Sequence, residues 1–83
     1  MPNIYEVHVE LTARSDGRIY ARSPELPGLL LSDDDSSALL PLIPSSIEQL
    51  YKYEGRSVTS VTLESSTVAD NVTSQLYEVE FGG

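Results

Sequence analysis

Gly17-Arg18-Ile19-Tyr20-Ala21-Arg22-Ser23-Pro24-Glu25-Leu26-Pro27-Gly28-Leu29-Leu30-Leu31 decides the fold. It reads as strand, tight turn, strand. Ile19 to Ser23 is a short strand entered through Ser15-Asp16-Gly17-Arg18, a hairpin turn in which Gly17 supplies a positive φ. Leu26-Pro27-Gly28-Leu29 carries Pro and Gly at the two central turn positions, the pattern of a type II turn: Pro presets φ near −65° and Gly takes the positive φ. Pro24, Pro27 and Gly28 are therefore assigned structural turn roles, as is Gly17. Residues 29–31 form a third strand, apolar on both sides, which places it inside the sheet.

Upstream, in residues 4–13, Tyr5, Val7, Val9, Leu11 and Ala13 alternate with Glu6, His8, Glu10 and Thr12. A period of two means a strand with one buried face. Downstream, Asp34 or Asp35 caps a helix over residues 36–53. At 100° per residue, Leu39, Leu40, Ile43, Ile47, Leu50 and Tyr51 fall within one arc of about 120°. Pro41 and Pro44 project outside this arc, so they bend the helix around its core rather than end it. The alternative is a break at Pro44, with Ser45-Ser46-Ile47-Glu48 as a capping box for a second helix. Gly55 closes the helix. Residues 58–64, rich in Val and Thr, make a fourth strand. The polar residues 65–74 read as a turn or loop, and residues 75–81 as a fifth strand with Tyr77, Val79 and Phe81 on one face and Leu76, Glu78 and Glu80 on the other. The expected fold is α+β, in the order β-β-β-α-β-β: an antiparallel-rich sheet with one kinked helix on one face, formed by residues 1–83 as a single domain.

Composition narrows the function. The 83 residues include 13 Asp/Glu against 5 Lys/Arg, a net charge of −8, and no cysteine. Disulfides and cysteine-based zinc sites are excluded. An acidic chain with scattered Arg14, Arg18, Arg22, Lys52 and Arg56 repels phosphate backbones, so no nucleic-acid partner is expected. A basic protein partner is electrostatically easier. No run approaches the roughly 20 apolar residues of a membrane span. Residues 1–6 show neither a basic nor an apolar signal region, so the expected location is cytoplasmic.

Residues 7–54 carry a resemblance. A β-hairpin followed by Tyr20 through Gly28, in the pattern Tyr-x-x-x-Pro-x-Leu-Pro-Gly, then Asp35-Ser36-Ser37-Ala38-Leu39 opening an amphipathic helix, resembles the N-terminal domain of HicB-type antitoxins. The resemblance implies a partial RNase H-like fold, neutralisation of a small basic toxin that cuts mRNA, and assembly into dimers or larger oligomers. Many family members carry a C-terminal DNA-binding segment. Here the residues after Gly55 read as strands without a basic helix, so operator binding is not expected.

Two-metal hydrolysis needs carboxylates converging on ions about 4 Å apart. Glu6, Glu10, Glu25 and the run Asp33-Asp34-Asp35 are the candidates; the run reads first as a helix N-terminus favoured by the macrodipole. His8, the single histidine, sits among glutamates on the outward face of the first strand and reads as surface. No nucleophile elbow, P-loop or dinucleotide fingerprint occurs. No catalytic residue, metal site or cofactor is expected. Glu6, Glu10, Glu78 and Glu80 fall on the outward faces of the first and last strands and are the candidate docking surface for a basic partner. Tyr5, Tyr51 and Tyr77 read as core; Tyr20 and Tyr53 are candidate oligomer contacts. A homodimer is expected, paired through the last strand. The leading functional expectation is a non-catalytic regulatory binding module of antitoxin type. The alternatives are a small metal-dependent hydrolase on a degenerate RNase H-like scaffold and a structural homodimer.

Overall fold

The alternation in residues 4–13 produces a ten-residue strand with Val7, Val9 and Leu11 buried on one side and Glu6, His8 and Glu10 exposed on the other. The computed structural model describes residues 4–82. In chain order it contains β1 (Ile4–Ala13), β2 (Ile19–Arg22), β3 (Leu30–Asp33), α1 (Ser36–Leu39), α2 (Leu42–Tyr53), β4 (Val58–Ala69) and β5 (Val72–Phe81). The strands form one sheet in the order β3-β2-β1-β5-β4, every neighbouring pair antiparallel. The α+β architecture expected from the sequence is the one observed. One bent helical segment packs on a single face of the sheet and leaves the other face open.

The β1–β2 hairpin turns as its glycine requires. The Gly17 amide donates to the Arg14 carbonyl at 3.0 Å and the Arg14 amide to the Arg18 carbonyl at 2.8 Å, with Gly17 at φ 88°. The second turn differs from expectation. The Leu29 amide does donate to the Leu26 carbonyl at 2.8 Å, but the φ of Gly28 is not positive, so the turn is not type II. Gly28 serves another purpose: a Cβ there would lie 3.1 Å from Leu50 Cδ2, so the missing side chain makes room for α2. The third strand starts one residue late and lies at the sheet's edge rather than inside it, which leaves Leu30 68% exposed. Its apolar character reflects Leu29 and Leu31 packing towards the helix, not burial of both faces.

Asp35 caps α1, accepting from the Ser37 amide at 2.9 Å and the Ser37 hydroxyl at 2.6 Å. These two bonds, the hydroxyl's first, hold the Asp35 carboxyl below its ordinary 3.8. The helix bends at Leu40–Pro41, where both residues keep right-handed helical angles, and not at Pro44. Pro41 is the N-cap of α2, which puts Pro44 in the first turn. The amides of a first turn have no acceptor within their own helix (the Ile43 amide reaches back to the Leu40 carbonyl at 3.3 Å), so the missing N–H of Pro44 loses no hydrogen bond within α2. The capping box at Ser45 does not form; the Ser45 hydroxyl donates back to the Leu42 carbonyl at 3.1 Å. At the far end the Arg56 amide reaches the Tyr51 carbonyl and the Gly55 amide the Lys52 carbonyl, both at 3.0 Å, with Gly55 at φ 82°. This is a Schellman cap, and it sets the direction in which Arg56 leaves the helix.

The stretch 65–74 corrects another expectation. It holds the expected turn only at Asp70-Asn71; the rest is no loop but the continuation of β4 and the start of β5, with Ala69 opposite Val72. Asp70 takes φ 55°, a conformation that Asp tolerates better than most residues. Ser65, Ser66, Thr67, Thr73 and Ser74 suit a hairpin tip at which residues 65–71 are exposed on both faces. β5 is therefore interior, hydrogen-bonded to β1 on one side and β4 on the other. The expectation that the last strand pairs between chains is overturned, since its edges are already occupied. The sheet's edges are β3 and β4.

The core gathers Val7, Val9 and Leu11 of β1, Ala21 of β2, Leu39, Ile43, Ile47 and Tyr51 of the helix, and Tyr77, Val79 and Phe81 of β5. Leu50 is half-buried and Leu40 is exposed, so the helical stripe is narrower than its periodicity suggests. Ala13 is exposed and Tyr5 is 48% exposed. Tyr5 sits at the open end of the sheet, edge-on to Phe81 with ring centroids 5.1 Å apart, rather than within the core.

Candidate functional site

The register of β1 on β5 decides where the acidic residues meet. Glu6 lies directly opposite Glu78, and Ile4 opposite Glu80. Glu6, Glu78 and Glu80 thus share one end of the helix-free face. Glu10 is on the same face but further along, opposite Ser74 on one side and Arg22 on the other. The four predicted docking residues are therefore brought to one surface as three neighbours and one outlier. Glu64 occupies an irregular position in β4 between Leu63 and Ser65. Like charges directly opposite each other in a sheet are destabilising, so the Glu6–Glu78 pair works against folding.

β2 pairs with β1 only over Glu10–Ala13, because the chain turns away at Ser23. Among the described residues no strand covers the corresponding edge of β1 at residues 4–9. Glu25 fills part of the gap. Its Oε1 accepts the His8 amide at 2.9 Å, and its Oε2 lies 2.6 Å from His8 Nδ1. The Ser23 hydroxyl donates to Oε1 at 3.4 Å and accepts the Leu26 amide at 3.3 Å, which fixes the loop that presents Glu25. Pro24 and Pro27 bracket this loop. His8 is not idle surface: it ties the Pro-Gly loop to β1.

Partial burial works to raise the Glu25 pKa, but the bonds from the His8 amide and ring outweigh it and hold the carboxyl below its ordinary 4.5. A carboxyl with a depressed folded-state pKa adds stability above its unfolded pKa and loses it as pH falls through the folded value. Glu25→Gln is accordingly expected to destabilise the domain at neutral pH by about 1 kcal/mol or less. That figure is a charged hydrogen bond discounted for a side chain that is 36% exposed. The wild-type advantage should disappear in thermal melts below pH 4.5, as the carboxyl titrates; an advantage that persists in strong acid would refute the clasp.

Beside the clasp is an open groove of about 710 Å³, lined in part by Tyr5, Glu6, His8, Glu25, Glu54 and Arg56. Its cation is Arg56, whose guanidinium carbon lies 3.7 Å from the Phe81 ring centroid, 4.6 Å from that of Tyr5 and 5.8 Å from that of Tyr51. Tyr51 and Phe81 meet edge to face at 4.8 Å. Burial first, and the Glu54 carboxylate second, raise the Tyr51 phenol above its ordinary 10.0. Nothing in the sequence singled out Arg56, because its three rings come from positions 5, 51 and 81. Gly55-Arg56 at a helix end was the available signal.

The other candidates separate. Asp33 accepts the Asp35 amide at 3.0 Å, Asp34 pairs with Arg18 at 2.9 Å and Asp35 caps α1. The three carboxylates thus face three different partners. Among the described residues no three His, Cys, Asp or Glu side chains converge on a point where they could hold a metal ion. Tyr20 is on the helix-free face beneath Arg14, whose guanidinium carbon is 5.0 Å from its ring centroid. Tyr53 is 78% exposed at the end of α2, on the other side of the sheet. The two tyrosines do not form one patch. No helix among the described residues is long and apolar enough to cross a membrane.

Comparison with protein-family models, with curated proteins and with solved structures finds no match to this chain.

Proposed function

We propose that this chain is a non-catalytic, cytoplasmic binding module of antitoxin type, which occupies a small basic partner protein through the acidic end of its helix-free sheet face. The observation that carries the reading is the direct opposition of Glu6 and Glu78, with Glu80 beside them. Two carboxylates held face to face lower the stability of the free domain, and a cationic side chain placed over them relieves the repulsion. Glu25 and Glu54 extend the same negative rim into the groove. The resemblance of residues 7–54 to the N-terminal domain of HicB-type antitoxins names the kind of partner: a short, basic, toxin-like protein. A hydrolase needs convergent carboxylates, and Asp33, Asp34 and Asp35 each serve a different local contact instead.

The test has two arms. Glu78→Gln should stabilise the isolated domain by about 0.2–1 kcal/mol, roughly 1–8 °C in melting temperature at this size. Charge reversal at Glu6 and Glu78 together should abolish growth rescue when the chain is co-expressed with a HicA-type toxin, and should remove the salt dependence of their association in calorimetric titration. Rescue that survives the double reversal, or a Glu78→Gln variant less stable than wild type, defeats the reading.

A further inference from the structure

Two polar side chains are buried among the described residues, Ser23 and Gln75, each 6% exposed. The Ser23 hydroxyl is committed on both sides: it donates to Glu25 and accepts the Leu26 amide. Gln75 is committed on one side only. Its Oε1 accepts the Tyr77 phenol proton at 2.8 Å. Its Nε2 carries two N–H donors and meets no acceptor among the described residues. No buried side-chain nitrogen or oxygen there is sealed from solvent without a partner. The Nε2 group therefore opens into the cleft that Gln75 lines.

That cleft, of about 340 Å³, lies on the helix side of the sheet, beside the bend between α1 and α2. Leu11 and Ala13 of β1 and Ile19 of β2 form its floor, with Ala13 directly opposite Ile19. Leu40, 39% exposed, stands on one side. Thr73 and Gln75 of β5 stand on the other, Thr73 opposite Leu11 in register. The chain has 13 Asp/Glu and 5 Lys/Arg, yet none of the described residues that line this cleft is ionisable. An apolar floor with a few polar groups at its margin is the usual build of a small-molecule site, and such sites span about 300–1,000 Å³.

We propose that this cleft binds a small neutral molecule with an apolar ring and a carbonyl oxygen. The ring lies on Leu11, Ala13 and Ile19, and the oxygen accepts from Gln75 Nε2. The chemistry of the lining selects this class. Nε2 only donates, so the ligand must bring an acceptor. A carboxylate would give up its hydration without meeting a cation, inside a chain of net charge −8. An ammonium would find no carboxylate. Size follows from volume: at about 30 Å³ per water the cleft holds roughly ten waters, so the ligand has about ten non-hydrogen atoms. Water alone satisfies Nε2 but leaves the apolar floor wet, and a ring displaces it. The acidic face with Glu6 and Glu78 is on the other side of the sheet, so this site stands apart from the docking surface.

The probe is cyclohexanecarboxamide, titrated into the isotopically labelled chain and followed by nuclear magnetic resonance. The Gln75 side-chain amide signals should move and saturate, with a dissociation constant on the order of 1–10 mM for a molecule of this size. Cyclohexanecarboxylate and cyclohexylmethylamine carry the same ring with a negative or positive charge, and each should bind at least about tenfold more weakly. Ala13 is exposed, so Ala13→Phe fills the floor without disturbing the core and should abolish the saturable shift with the circular dichroism retained. Gln75→Met combined with Tyr77→Phe removes both partners of the buried hydrogen bond and strands neither; it should weaken the carboxamide about tenfold. Gln75 signals that do not move, a charged analogue that binds as well as the carboxamide, or saturable binding that survives Ala13→Phe would each overturn the proposal.

Discussion

Replacing Ile47 with alanine is expected to destabilise the domain by about 2–5 kcal/mol. Ile47 lies in the middle of α2, fully buried, in the same cluster as Val7 of β1 and Val79 of β5. Truncation removes buried methyl groups and leaves a cavity, because a helix already shaped by Pro41 and Pro44 at its start cannot settle freely onto the sheet. The consequence is large because the domain is small. Eighty-three residues at roughly 0.05–0.15 kcal/mol each give a total stability of about 4–12 kcal/mol, so this one change removes a major fraction of it. Urea titration should show a lower midpoint with an unchanged slope, since the surface exposed on unfolding is nearly the same. Leu40→Ala is the control. Leu40 is 39% exposed at the bend, and its loss should amount to about 1 kcal/mol or less. Equal effects at the two positions would mean that α2 does not pack on the sheet as described.

Phe81→Ala should be as damaging, at about 3–5 kcal/mol. Phe81 is 7% exposed at the end of β5, and its ring is the hub of the aromatic cluster. Tyr5 and Tyr51 meet it edge-on, each contact worth about 0.5–1.5 kcal/mol beyond area burial. Arg56 lies over it at 3.7 Å and adds about 0.5–1 kcal/mol. Phe81→Leu preserves most of the burial but not the ring, so it separates the two contributions and should lose about 1–2 kcal/mol less than alanine. A double-mutant cycle with Arg56→Ala isolates the cation–ring contact, with an expected coupling of about 0.5–1 kcal/mol. Zero coupling would show that the guanidinium stacks without consequence. The cluster matters beyond stability, because it anchors the start of β1 and so positions Glu6 at the rim of the groove.

The expected docking residues were legible in the sequence because β1 and β5 both alternate strictly: once Val7 and Val79 face the core, Glu6 and Glu78 must face away. That the two glutamates stand directly opposite each other was not legible. Direct opposition depends on the pairing register, which is set by contacts between segments some 70 residues apart in the chain. The His8–Glu25 clasp has the same origin. His8 belongs to a strand and Glu25 to a loop, and only the early departure of β2 from β1 leaves the His8 amide free for a side chain to take.

The bend in the helix shows local information at its limit. Two prolines and an apolar stripe predict a bent helix, but its position at Leu40–Pro41 follows from how Leu39 and Ile43 both reach the sheet. Residues 65–74 fail for a related reason. Their Ser, Asp and Asn favour turns while their Thr and Val favour strand, and the hairpin partner decides between them. The Asp-Asn pair between Ala69 and Val72 was the one local sign of the turn.

By itself the sequence determined the fold class, the hairpin at Gly17, the capped amphipathic helix and the two faces of β1 and β5. These are properties of neighbours within a few residues, where side-chain periodicity and backbone restriction act directly. Tertiary structure alone decided the strand order, the exposure of β4 at the edge, the facing carboxylates and the seat of Arg56 among three rings. Each of those depends on which distant segment comes alongside, and that choice is made by burial summed over the whole sheet rather than by any short stretch of chain.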